Sequence, residues 1–273
     1  MRRLNCSLLA AAVALGTVWA AATTPESAAF AAETGRVGYV DTPKLPNSPW
    51  RVHDRDRPQP RKVQPGDSGS AALPQKAPAD AIVLFDGKDL SQWVCKNPKA
   101  VDDGFANVAK TGQLQSKREF GDCQLHVEWA TPAKADGGNM TWGNSGVLMM
   151  GRFEIQILES HDSYIYADGN AGAIYGQYPP LVNPARKPGQ WQSFDIVFEA
   201  PRFRDGKLAK PAYCTVFFNG VLVQNRKEVL GEMAHRVLPK YTSTSETGPV
   251  VLQEHGSAVR FRNVWIRPLT LDP

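Results

Sequence analysis

Cysteine is scarce: the 273 residues hold four, Cys6, Cys95, Cys123 and Cys214. Three remain once an N-terminal leader is removed, and three cannot all pair internally. Cys123 and Cys214 fall within apolar strand patterns and read as buried thiols. A Cys95–Cys123 bridge is possible in an oxidising compartment, although sequence does not fix the connectivity. After the N-terminus no apolar run is long enough to span a membrane. Basic residues are not interleaved with aromatics in any run, which argues against nucleic acid as a partner. The net charge of +4, falling to +3 without Arg2, Arg3 and Glu26, points to no charged partner. Long helical periodicity is missing too, and with it a helical domain.

The chain opens with Arg2-Arg3, an apolar run from Leu8 to Trp19, and small-residue cleavage signals at Ala20-Ala21-Ala22 and Ala29-Phe30-Ala31. Residues 1–31 therefore read as a secretory signal peptide, and the mature protein as periplasmic or secreted. Residues 32–79 form an arm and linker rich in Pro, Arg and Asp. Within it, Pro49-Trp50-Arg51-Val52-His53-Asp54 sets Trp and Val among charges, so residues 39–58 are expected to lie across the following domain with Trp50 packed upon it. Residues 66–77 are expected to be flexible.

From residue 80 to 273 short alternating segments recur between Gly, Pro, Asn and Asp punctuation, at 81–85, 112–116, 122–130, 146–150, 152–158, 192–199, 213–218, 221–224, 249–254 and 259–267. This predicts an all-β, two-sheet antiparallel sandwich with one core, preceded by an extended arm. Phe218-Asn219-Gly220-Val221 predicts a hairpin, because Asn-Gly suits a type I′ turn. Trp129 and Trp265, on alternating strands, are expected in the core.

The segment 152–157 is the most informative. Phe153, Ile155 and Ile157 share one strand face; Arg152, Glu154 and Gln156 share the other. A fork of donors, a carboxylate and an amide match a ring of hydroxyls, so a polar ligand, a sugar, is expected there; a solvated sheet face is the alternative. Gly143-Asn144-Ser145-Gly146 precedes the strand, and its small residues would let backbone approach a ligand. Trp142, Tyr164, Tyr166, Tyr175, Tyr178 and Trp191 lie in or beside loops, where rings can stack on a pyranose. Glu159, His161 and Asp162 form a polar cluster able to bind a divalent cation, calcium or a transition metal. Asp168-Gly169-Asn170 could hold Ca²⁺ or simply make an Asx turn.

Several motifs occur together and in order: Leu84-Phe85-Asp86-Gly87-Lys88-Asp89-Leu90 with Trp93; Gly143 to Gly146; Phe153 to Ser160; Ala171-Gly172-Ala173-Ile174-Tyr175-Gly176; Pro188-Gly189-Gln190-Trp191; and Leu252-Gln253-Glu254-His255-Gly256 with Phe261-Arg262-Asn263. In these, residues 80–268 resemble the 3-keto-disaccharide hydrolase family, and the arm around Asp41 to Asp54 is similar to extensions on exported members. The resemblance implies a concanavalin A-like jelly roll and cleavage of glycosides whose C3 hydroxyl has been oxidised to a ketone. This chain departs from it with Phe218 before Asn219-Gly220, where members often carry His, and with Glu159 before Ser160, where they often carry Asp.

A C3 ketone acidifies the C2 hydrogen, so a base can remove it and expel the C1 substituent, after which water addition gives net hydrolysis. Glu154 is the expected base, His255 the acid or shuttle, and Glu159 a further catalytic candidate. Asn144, Ser145, Arg152, Gln156, Tyr175, Trp191, Gln253 and Arg262 are expected to bind substrate, an oligosaccharide or other glycoside. A non-catalytic lectin-like module is the competing reading. Convergence of Glu154 and His255 on one cleft favours the enzyme, and an Arg–Glu pair locked in a flat sheet favours the module.

Overall fold

A computed structural model describes residues 37–66, 76–138 and 141–271 of the chain. The expected signal peptide lies outside the described residues, as does residues 67–75 of the segment expected to be flexible. Two antiparallel sheets pack face to face. The larger runs in the spatial order β13 (Val221–Glu228), β12 (Tyr213–Phe218), β9 (Gln192–Glu199), β6 (Cys123–Ala130), β15 (Arg260–Pro268), β4 (Phe105–Asn107) and β3 (Val101–Asp102), with β1 (Ile82–Phe85) also paired to β15. The smaller runs β2 (Trp93–Val94), β5 (Leu114–Phe120), β14 (Gly248–Leu252), β7 (Ser145–Met149) and β8 (Phe153–Ile157). A separate hairpin joins β10 (Arg202–Arg204) to β11 (Lys207–Lys210), and a short helix, α1 (Val108–Thr111), is capped by the Asn107 side chain. The strands β2, β3, β4, β10 and β11 are two to four residues long, too short for alternation to announce them. Among the described residues no helix is long and apolar enough to cross a membrane.

The period of two decides what lies between the sheets. Leu125, Val127 and Trp129 of β6 and Phe194, Ile196 and Phe198 of β9 meet Val147 and Met149 of β7 and Phe153, Ile155 and Ile157 of β8 in one core. The Phe153 and Phe198 rings, one from each sheet, sit 5.6 Å apart. The hairpin β12–β13 turns through Asn219 and Gly220 with φ of 51° and 77°, both positive as a type I′ turn needs. Cys95, Cys123 and Cys214 are free thiols, so the Cys95–Cys123 bridge does not form. Burial pushes the Cys123 thiol up to about 12, which keeps it protonated and inert.

Trp265 departs from the expected core position. A register shift between Arg262 and Trp265, with Asn263 at a φ of 46°, inverts the alternation of β15. Phe261, Val264 and Ile266 then face the core, and Trp265 is buried on the opposite side, stacked 5.1 Å from His126. The same side holds a buried ionic network. His126 Nδ1 lies 2.7 Å from Asp195, and Glu128 accepts from Arg262 Nε at 2.7 Å and from Asn263 Nδ2 at 2.8 Å.

The arm crosses the domain, but its burial is not where the sequence suggests. Trp50 is only half-buried, whereas Val52 and His53 are fully enclosed and Leu45 and Thr42 nearly so. The reason is polar anchoring: the His53 backbone N–H and ring Nδ1 both meet the buried Asp168 carboxylate, at 3.0 and 3.1 Å. Asp168 thus caps the arm from the 3₁₀ turn Ala167–Gly169, and its oxygens are occupied rather than free for Ca²⁺.

Burial lowers the His126 proton affinity, but hydrogen bonds and charge from Asp195 and Glu128 outweigh it and lift the imidazole to about 9. Its stabilising contribution is complete below the unfolded value of about 6.5 and is lost as pH rises through about 9. Tm should therefore fall more steeply between pH 6.5 and 9 in the wild-type protein than in His126→Gln. Parallel Tm curves for the two proteins would contradict this linkage.

Candidate active site

The face of the smaller sheet turned away from the core carries a cavity of about 520 Å³, within the range of about 300–1,000 Å³ usual for small-ligand sites. Its floor comes from the sheet. Glu154 and Gln156 point up from β8, Asn144 stands just before β7, and Gln253 and His255 follow β14. Its walls come from loops: Ile165, Tyr166 and Tyr175 after β8, Met233, Ala234 and His235 after β13, Thr141 before β7, and Tyr39 from the arm.

Glu154 is 5% exposed, and its carboxyl group has no hydrogen-bond partner among the described residues. Burial alone pushes its carboxyl up to about 8. The space it occupies exists because its cross-strand neighbourhood includes Gly146, where a Cβ would lie 2.9 Å from the Glu154 carboxyl carbon. Gly143, at a φ of 66°, likewise clears Thr131, whose Cβ would sit 2.8 Å from an added methyl. The glycines thus make room for neighbouring side chains rather than for a ligand. Gln156 Nε2 donates to Asn144 at 3.3 Å, while Oε1 of both Gln156 and Gln253 is buried without a protein partner. Two unmatched acceptors in one cavity are what a polyhydroxyl ligand would satisfy.

Opposite them the Tyr175 hydroxyl lies 3.0 Å from the Tyr166 hydroxyl and 3.1 Å from His235 Nδ1. Burial, opposed by the bond from Tyr166 and aided by the nearby Glu154, pushes Tyr175 up to about 12, so it remains a proton donor. His235 is pulled down by burial and by the neighbouring His53 and Arg236, which leaves it neutral and able to accept. The Tyr175 backbone N–H donates to the Glu154 carbonyl at 3.1 Å, which fixes the tyrosine beside the carboxyl group.

Of the expected site residues, Glu154, Gln156, Asn144, Tyr175, Gln253 and His255 come together. Ser145 lies beneath, its hydroxyl donating to the Gln253 carbonyl at 2.6 Å. Arg152 is not with them. It precedes β8 in a turn, and its guanidinium goes to Glu232 at 3.1 Å and to the carbonyls of Ser243 and Ser245. Arg262 lies on the other sheet, paired with Glu128, and its guanidinium sits 4.2 Å over the indole of Trp191, the loop residue just before β9. Glu159 does not join a ligand set. Its carboxylate accepts the backbone N–H groups of His161, Asp162 and Ser163, while His161 Nδ1 meets Asp162 at 2.5 Å. Among the described residues no three His, Cys, Asp or Glu side chains gather as metal ligands, at Glu159, His161 and Asp162 or elsewhere. Trp142 and Tyr178 are also engaged elsewhere, with the Pro132 carbonyl and with Lys227.

Tyr39, Thr141, Met233 and His235 were not singled out by the sequence. They belong to irregular segments that only the fold brings to β8, and no local spacing marks them.

Because the folded Glu154 holds a proton that the unfolded chain gives up near pH 4.5, its burial costs stability as pH rises from there through about 8. Glu154→Gln should remove that cost. Its Tm should equal or slightly exceed wild type at pH 5 and exceed it by several degrees at pH 8.5; a Tm difference independent of pH would show that Glu154 is ionised at both values.

Residues 80–267 match the family model of the 3-keto-alpha-glucoside-1,2-lyase-like domain. A solved structure from Parabacteroides distasonis ATCC 8503, designated a candidate glycosyl hydrolase, is 40% identical, is covered over 93% of its length by 78% of this chain, and superposes with a TM-score of 0.68. A second structure of that designation from the same organism is 22% identical, with 70% of this chain and 94% of that one covered and a TM-score of 0.49. No curated protein matches the chain. The matched sandwich carries the cavity floor and all its walls except Tyr39, and the chain belongs to the carbohydrate-processing 3-keto-alpha-glucoside-1,2-lyase-like family.

Proposed function

We propose that the protein is an exported enzyme that cleaves 3-keto glycosides by elimination. The observation that carries this reading is a single carboxyl group, Glu154, buried without a counter-ion at the floor of a sugar-sized cavity with His255 at its rim. A base whose proton affinity lies near the working pH is well suited to remove a carbon-bound proton.

Glu154 takes the proton from C2, and the electron pair moves into a C2–C3 enolate with charge on the C3 oxygen. The Tyr175 hydroxyl, held by Tyr166 and His235, is placed to donate to that oxygen. The enolate then returns its pair, a C1–C2 double bond forms, the C3 ketone is restored, and the C1–O bond breaks. His255, exposed at the rim, supplies the proton for the departing oxygen and exchanges it with solvent. Water addition across the C1–C2 double bond completes net hydrolysis. Gln156 and Gln253 offer acceptors to ring hydroxyls. The convergence of Glu154 and His255, and the pairing of Arg152 with Glu232 instead of Glu154, both favour catalysis over a non-catalytic binding module.

Incubation with a 3-keto glucoside and with its unoxidised parent separates the readings: the enzyme cleaves the first and leaves the second intact, and a binding module cleaves neither. Glu154→Gln should lower turnover by at least about 10²-fold with little change in sugar affinity. Deuterium at C2 should slow the wild-type reaction wherever proton removal limits the rate. Equal cleavage of both sugars would rule out elimination.

In the wild-type protein kcat/KM should rise with pH towards a plateau governed by a group near 8, since only ionised Glu154 accepts the proton. A profile already flat from pH 5 upwards would assign the base to another residue.

A further inference from the structure

The chain between β13 and β14, residues 229–247, is irregular throughout, yet it delivers Met233, Ala234 and His235 to the cavity. His235 is exposed, so apolar burial does little to fix it. Its place against the Tyr175 hydroxyl depends on how the backbone around it is fastened. The buried Gln177 side chain accepts the Leu230 N–H at 2.8 Å and donates to the Gly231 carbonyl at 3.0 Å, which fixes the segment where it leaves the sheet. Just past His235, Arg236 pairs with Asp41 at 3.1 Å, but both side chains are open to solvent, where such a pair is weak.

Arg152 supplies a stronger hold. Its Nη1 donates to Glu232 at 3.1 Å and to the Ser243 carbonyl at 3.2 Å, and its Nη2 to the Ser245 carbonyl at 2.7 Å. The Arg152 carbonyl also accepts the Met233 N–H at 2.9 Å. Glu232 closes the ring by accepting the N–H groups of Thr242 and Ser243, at 3.1 and 3.2 Å, and the Thr242 hydroxyl. Guanidinium and carboxylate are 14% and 18% exposed, so water competes little for these bonds. Burial raises the proton affinity of Glu232, but the bonds from Thr242, Arg152 and Ser243 outweigh it and keep the carboxylate charged. One guanidinium thus ties both limbs of the segment to the turn before β8, while standing outside the cavity lining.

We infer that Arg152 is a positioning residue: by clamping Glu232, Ser243 and Ser245 it holds His235 against Tyr175, and so aims the hydroxyl that meets the C3 oxygen. Its effect on turnover rests on the reaction proposed above; its effect on His235 does not. Without the guanidinium the Gln177 and Met233 bonds keep the segment attached, and His235 gains freedom.

The test uses the full mature chain, a 3-keto glucoside, and the variants Arg152→Ala, His235→Ala and the two combined. Arg152→Ala should lower kcat by about tenfold, part of what the loss of a whole oxyanion donor costs, with KM changed by less than about twofold. In the His235→Ala background the same change should lower kcat by less than about twofold, because no imidazole is left to place. A lesion that merely loosened the fold would act by the same factor in both backgrounds. If Arg152→Ala does not fold, Glu232→Gln, which keeps the side chain's shape and removes the ion pair, takes its place in the cycle. An equal factor in both backgrounds, or kcat unchanged in the variant that folds, overturns the inference. Should wild type cleave no 3-keto glucoside, the reaction is wrong, and NMR titration of the His235 imidazole, assigned by its loss in His235→Ala, decides the clamp separately. That ring faces Tyr39, His53 and Tyr175, and burial, His53 and Arg236 hold its pKa below 6.5. Its release in the clamp variant should carry the pKa up towards 6.5, and an unchanged value refutes the clamp.

Discussion

A β-strand buried on both faces must do two different things with alternate residues, and β8 sets most of what the molecule is able to do. Phe153, Ile155 and Ile157 supply apolar surface to the inter-sheet core, at a gain of roughly 25 cal/mol for each square ångström removed from water. Glu154 and Gln156, forced to the other side by the same pleat, are also nearly inaccessible. The stability gained by one face sustains an unfavourable burial on the other. A carboxyl group in this position responds by holding its proton, which turns an electrostatic cost into a titration near neutral pH. Because the strand cannot shift by one residue without exposing three core side chains, Glu154 cannot turn away from the cavity.

The roof over β8 is assembled from parts far apart in sequence, and it depends on the His53–Asp168 contact. Asp168 accepts both the His53 backbone and its ring, and Arg57 lies 3.7 Å away. The His53 ring in turn packs 4.1 Å from Tyr166, 4.9 Å from Tyr175 and 5.1 Å from His235. Arm, loop and catalytic candidates are therefore coupled through one buried imidazole. The arm lies outside the matched residues 80–267, yet it contributes to the interior of the site.

Much of this was legible in the sequence where alternation is strict. The inward and outward sets of β8, the core faces of β6 and β9, and the Asn219-Gly220 turn all follow from a period of two or from the conformational freedom of two residues. What was hidden involves breaks in that period or contacts over long distances. Arg152 shares parity with Glu154 but sits in the turn before the strand, where parity has no force. The bulge at Asn263 inverts β15 within three residues and carries Trp265 out of the core. Trp50 is the largest side chain of its segment, yet the arm is held by a histidine whose buried partner lies 115 residues away.

Two acidic residues on outward strand faces show how structure and function separate. Glu128 of β6 and Glu154 of β8 are each almost wholly buried and each adjoin aromatic side chains. Glu128 is matched by Arg262, Asn263 and the raised His126, so its charge is compensated and it serves the sheet. Glu154 has no such partner among the described residues, and it lines the cavity. If charge burial alone were selected for packing, an apolar residue at 154 would fill the site at lower cost. An uncompensated carboxyl group is retained to advantage only if something entering the cavity makes use of it, and a substrate with an acidic carbon–hydrogen bond would do so at the moment the proton moves.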